Sequence, residues 1–157
     1  MTQLDAIDYL AKIIRLACLL HDSGHSSFSH QFTQAAKIRD LMARPGRFED
    51  LWKGVDTRTI YPETPTELEH EHYSVRVAFD VLNSLNLDDA GLQRDDVLGI
   101  METTSVTPSE RFCQHAETFW AFIAGADANA GALQTASTPR LVMDLLSSIV
   151  SGEIDAD

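Results

Sequence analysis

The spacing of apolar residues constrains this chain most, because it is helical almost from end to end. Ile7, Leu10, Ile14, Ala17 and His21 recur three or four apart, as do Phe28, Phe32, Ala35, Ile38 and Met42. Each set predicts one face of a helix, and Arg44-Pro45-Gly46-Arg47 closes the second. Thr64-Pro65-Thr66-Glu67 and Thr107-Pro108-Ser109-Glu110 read as capping boxes, and Thr138-Pro139 repeats half of that signal. Apolar stripes follow them: Leu68, Val75, Phe79 and Leu82; Phe112, Ala116, Phe119 and Ile123; Leu141, Leu145 and Ile149. A shorter helix is expected from Asp95 to Met101, and loops over 44–63 and 125–138. No segment alternates as a half-buried strand would. The expected fold is all-α, with helices packed round a shared core.

A chain of 157 residues fits one domain, 1–157, and 44% apolar residues can fill its core. The net charge of −12 disfavours broad nucleic-acid binding, since no basic stripe is present to neutralise phosphates. No apolar run reaches membrane-spanning length, and Met1-Thr2-Gln3-Leu4-Asp5 does not read as a signal peptide. Cys18 and Cys113 match no metal or redox spacing and read as reduced core residues, so the expected location is cytoplasmic. Trp52 and Trp120 read as packing residues, His72 and His115 as surface or structural, and the many Asp and Glu side chains as solvated surface.

The segment that carries chemistry is Leu19-Leu20-His21-Asp22-Ser23-Gly24-His25-Ser26-Ser27-Phe28-Ser29-His30. An apolar helix runs into an adjacent imidazole and carboxylate, and Gly24 turns the chain. Such a pair can converge on one divalent ion, with mixed N/O ligation suiting Mn, Fe, Ni, Co or Zn. His25 and His30 are five apart and share no helix face, so a turn must bring them together. A hydrogen-bonded core histidine is the competing reading of His21 alone. His70 shares its spacing with Ser74, Val77 and Val81, which turns it inward.

The same segment resembles the signature of HD-domain phosphohydrolases, and within them the branch of deoxynucleoside triphosphate triphosphohydrolases and bacterial relatives of unknown substrate. Glu69-His70-Glu71-His72-Tyr73-Ser74 resembles that family's His-Glu-x-x-Ser helix, and the stretch from Ile149 to Asp157 resembles the approach to its last metal ligand. The resemblance therefore spans His21 to Asp157. It implies an HD-domain helical bundle in which His21, Asp22 and Asp157 hold one divalent metal ion (Mn, Fe, Ni, Co, Zn or Mg). His25, His30 and His70 would be the catalytic histidines on the phosphate, with Glu71 orienting a histidine. The implied substrate is a phosphorylated small molecule, a (deoxy)nucleotide such as a dNTP, hydrolysed at a phosphate ester or anhydride.

The chain departs from the family where it matters. The family's first ligand is a His on an earlier helix, and no His precedes His21 here. The basic and Tyr residues that follow the last ligand are absent beyond Asp157. The expectation is an HD core lacking the first helix and the C-terminal part, prone to self-association into a homo-oligomer. The alternative is a catalytically degenerate HD module that binds a nucleotide or a partner protein.

Overall fold

A computed structural model describes residues 1–24, 40–66, 68–102, 106–125 and 138–152. The fold is all-α, and no strand occurs among the described residues. Six α-helices are described: α1 (Gln3–Leu20), α2 (Arg47–Leu51), α3 (His70–Ser84), α4 (Arg94–Met101), α5 (Glu110–Ile123) and α6 (Thr138–Val150). A 3-10 turn, Leu87–Ala90, joins α3 to α4. Among the described residues no helix is long and apolar enough to cross a membrane. The helix expected over residues 28–42 lies mostly outside the described residues, with 40–42 helical; so does most of the loop expected over 125–138, of which Gly125 lies in a turn and Thr138 opens a helix.

The short α4 sits at the centre. Asp96, Val97, Leu98, Gly99 and Ile100 are all buried in it, and α1, α3 and α6 pack against it. α5 lies across α1 and α6. Each large side chain fully buried here, such as Phe112, Ile13, Leu98 or Met143, contributes about 1.5–3 kcal/mol of transfer free energy.

α1 begins with a capping box: Thr2 Oγ1 accepts from the Asp5 N–H at 3.1 Å, and the Thr2 N–H donates to Asp5 Oδ2 at 2.7 Å. The Thr2 N–H, and after it the Thr2 hydroxyl, hold the Asp5 carboxyl below its ordinary range. Its inward face is Ala6, Tyr9, Leu10, Ile13, Ala17 and Leu20, with Ile7 exposed and Ile14 half-buried. The face is thus turned from the one that the leucine and isoleucine spacing predicts.

The region 44–63 is more than a loop. Gly46, at φ 84°, leads into α2, and Phe48, Trp52, Ile60 and Tyr61 all enter the core. Trp52 meets Tyr61 and Phe79 edge-on, and Phe48 meets Tyr61 edge-on. Arg76 lies 5.4 Å from the Trp52 ring centre. Trp52 is a packing residue as expected, and Trp120 is half-buried against the core.

Four further expectations are corrected. α3 starts at His70, capped when the Glu69 N–H donates to His72 Nδ1 at 2.8 Å, and not at Thr64. α5 is capped by Ser109 rather than Thr107, with Ser109 Oγ accepting from the Phe112 N–H at 3.0 Å. On α6 the predicted stripe Leu141, Leu145 and Ile149 is exposed, and Val142, Met143, Leu146 and Val150 are buried instead. Cys18 is exposed and Cys113 half-buried, both as free thiols, so neither is a core residue.

Candidate metal centre

α1 ends where its last buried side chain, Leu20, gives way to His21, which keeps helical dihedrals as the C-cap. The His21 N–H donates to the Ala17 carbonyl at 2.8 Å. Residues 21–24 then turn away from the helix axis. Ser23 closes that turn on Leu20, donating to its carbonyl from both N–H (3.0 Å) and Oγ (2.6 Å). The Gly24 N–H donates to Ser74 Oγ on α3 at 2.9 Å. Ser74 is 1% exposed, so this bond fastens the turn to the core.

His21 Nδ1 lies 2.8 Å from the Cys18 carbonyl. A carbonyl oxygen only accepts, so Nδ1 carries the hydrogen and the ring presents Nε2. Nε2 stands 3.1 Å from Asp22 Oδ2. A lone pair facing a carboxylate at that distance is unfavourable unless a cation lies between or beside them. Two donors each about 2.1 Å from one ion, at an angle near 90°, are separated by roughly 3 Å. The pair therefore has the chemistry and spacing of adjacent ligands on a divalent metal, or of an ion pair with a protonated imidazole. The carbonyl end of α1 adds negative potential, and no basic side chain occupies its last turn to offset it. The side chains of His21 (34% exposed) and Asp22 (60%) are open to incoming ions.

Among the described residues no group of three or more His, Cys, Asp or Glu side chains is placed to hold a metal. His25, His30 and Asp157 lie outside the described residues. His70 is the first residue of α3, one helical turn before Ser74, and its side chain is likewise outside the description. Of the stripe drawn through His70, Ser74, Val77 and Val81, Ser74 is buried as expected, whereas Val77 and Val81 are exposed. Glu71 is exposed. His72 is structural as expected, its Nδ1 closing the start of α3 and its ring set against Phe48 and Tyr61.

Two features escaped the sequence. The bond from Gly24 to Ser74 joins residues 50 apart, beyond any spacing rule. Asp96, expected at the surface, is wholly buried. It accepts from Tyr9 OH at 2.7 Å, from the Ser109 N–H at 2.8 Å and from Ser109 Oγ at 2.7 Å. Its place in the first turn of α4 resembles that of ordinary solvated acids, and only the following run of apolar residues hints otherwise. Burial, then the bond to Asp96, pushes the Tyr9 hydroxyl far above its ordinary value. His115 stacks on Tyr9 with ring centres 4.0 Å apart.

A separate cleft of about 330 Å³ is lined by Arg58, Thr59, Ile60, Asp95, Val106 and Thr107, and shares no residue with the turn at His21. Comparison of the chain with protein-family models, with curated proteins and with solved structures finds no match.

Proposed function

We propose that the chain is a metal-dependent phosphohydrolase of the HD type, holding one divalent ion through His21 and Asp22 and cleaving a phosphate ester or anhydride of a (deoxy)nucleotide. The observation that carries this reading is the His21–Asp22 pair: Nδ1 pinned on the Cys18 carbonyl, Nε2 presented, and Asp22 Oδ2 3.1 Å away. Metal-bound histidines commonly have their second ring nitrogen fixed by a carbonyl in this way, which sets ring orientation and raises basicity. The ordered resemblance of three segments to the HD signature supports the same reading.

A divalent ion held there supplies Lewis acidity to a phosphoryl oxygen and lowers the pKa of the attacking water. His21 contributes a neutral donor and Asp22 a charge that offsets part of the ion's own. His25, His30 and His70, from the resemblance, would bind phosphate oxygens and move the proton to the leaving oxygen. Asp157, from the same resemblance, would be a third ligand.

The test is metal content by elemental analysis of untagged protein prepared without chelator, beside His21→Ala and Asp22→Ala, followed by phosphate release from a nucleotide panel. The expected result is roughly one equivalent of a transition metal that both variants lose, with turnover lost alongside. Metal retained without turnover on any nucleotide favours the degenerate binding module. No metal uptake, even after soaking in Mn²⁺, Ni²⁺ or Zn²⁺, overturns the proposal.

A further inference from the structure

We propose that Ser74 is a positioning residue for the His21–Asp22 turn, acting through the Gly24 amide; its consequence for metal binding rests on the function proposed above. The other hydrogen bonds described for the turn's backbone are local to α1: His21 to Ala17 and Ser23 to Leu20. Local bonds fix the turn relative to its own helix. The bond from the Gly24 N–H to Ser74 Oγ ties the turn to a second helix as well, at a side chain that is 1% exposed. His21 is held as a helical C-cap and Gly24 is held on α3, so Asp22 lies on a segment clamped at both ends.

The same serine also fixes a register. His70 opens α3 one turn before Ser74, so the bond sets the distance between the His21–Asp22 backbone and the start of α3. Alanine at 74 keeps the helix and nearly all the volume but strips the Gly24 N–H of its acceptor in a half-buried place. A threonine keeps the acceptor. The role therefore predicts a difference between Ala and Thr that a packing role does not.

The experiment uses the whole chain as wild type, Ser74→Ala, Ser74→Thr and Ser74→Cys, with Gly24 amide exchange read by NMR and Mn²⁺ affinity by titration calorimetry. Melting curves establish that each variant folds. Ser74→Ala is expected to speed Gly24 exchange and weaken Mn²⁺ by roughly 10- to 100-fold, with Ser74→Thr close to wild type on both. Should Ser74→Ala not fold, Ser74→Cys, a poorer acceptor of similar size, makes the same comparison against Thr. Unchanged Gly24 exchange in Ala, or equal loss in Ala and Thr, overturns the proposal. If the wild type takes up no Mn²⁺ while exchange responds as expected, the positioning role stands and the metal reading fails. If the wild type binds Mn²⁺ and Ser74→Ala binds it equally well, the metal reading stands and the positioning role fails.

Discussion

Tyr9 OH donates to Asp96 Oδ2 at 2.7 Å, joining the middle of α1 to the first turn of the central α4. Ser109 approaches the same carboxylate with its N–H and Oγ, so α5 is tied in at its first turn. The buried Asp96 carboxyl is thus met by three donors, the arrangement that lets such a group be buried. Tyr9→Phe should cost about 1.5–3 kcal/mol, the usual value of a hydrogen bond to a charged group. Asp96→Ala should cost more, because it leaves the donors of both Tyr9 and Ser109 without their acceptor. Urea midpoints check both, and a double-mutant cycle in which the two losses simply add would show that they do not share one network.

The stack of His115 on Tyr9 predicts pH dependence on both sides of neutrality. Burial, then the Arg111 guanidinium, lowers the His115 pKa from its ordinary 6.5, against weaker opposing pulls from Asp5 and Asp96. On acidification the unfolded chain takes up this proton before the folded chain does. The stability tied to His115 is therefore present above about 6.5 and lost as pH falls through the folded value. Tyr9 has the opposite sense: its folded pKa is raised, so its contribution is whole below about 10 and declines as pH rises further. His115→Phe keeps a ring on Tyr9 and should flatten the acid limb of a melting-temperature profile. Tyr9→Phe should flatten the alkaline limb only in part, because buried Tyr61 is shifted the same way.

Most described helices were legible in the sequence, α2 excepted, and so were the buried faces of α3 (Val75, Phe79, Leu82) and α5 (Phe112, Ala116), whereas the faces of α1 and α6 were not. Each of α1 and α6 carries apolar residues on more than one face, so a three-to-four spacing can be drawn through either. On α1 the buried face keeps the expected Leu10 and Ala17 but adds Ala6 and Tyr9, whose small or part-polar side chains are weak core markers. Helix starts slipped because the hydroxyl that reaches an amide is chosen by tertiary contact, as when Ser109 caps α5 while bound to Asp96. The candidate site divides in the same way. His21 and Asp22 were legible because they are neighbours in the chain and sit at a helix end. Their supports, the Cys18 carbonyl and Ser74, were not, since a backbone acceptor has no residue signature and a partner 50 residues away has no spacing.

The helix-face correction makes its own prediction on α6. Leu146 is 8% exposed and Leu145, its neighbour, 42%. Leu146→Ala should destabilise by about 2–4 kcal/mol, through lost burial and the cavity it leaves. Leu145→Ala should cost well under about 1 kcal/mol, and Leu145→Glu should still fold. Equal losses at the two positions in urea titrations would restore the face drawn from the sequence.

Gly99 gives the sharpest test of how tightly the centre is packed. In a helix interior, Gly→Ala ordinarily stabilises by about 1 kcal/mol. Here a Cβ would lie 2.8 Å from Met143 Sδ, 2.9 Å from Met143 Cε and 3.3 Å from Val106 Cγ1. Met143 is wholly buried and Val106 nearly so, so the thioether has to shift within a filled core. A methionine re-packs more cheaply than a branched side chain, which keeps the cost toward the low end of overpacking. The helix gain is outweighed, and Gly99→Ala should destabilise by about 1–2 kcal/mol. Met143→Ala alone should cost about 2–5 kcal/mol. The double variant should cost less than the sum, because the new methyl takes space that the shortened Met143 vacates. Strict additivity of the two urea-derived losses would mean that α4 and α6 are not in close contact at this point.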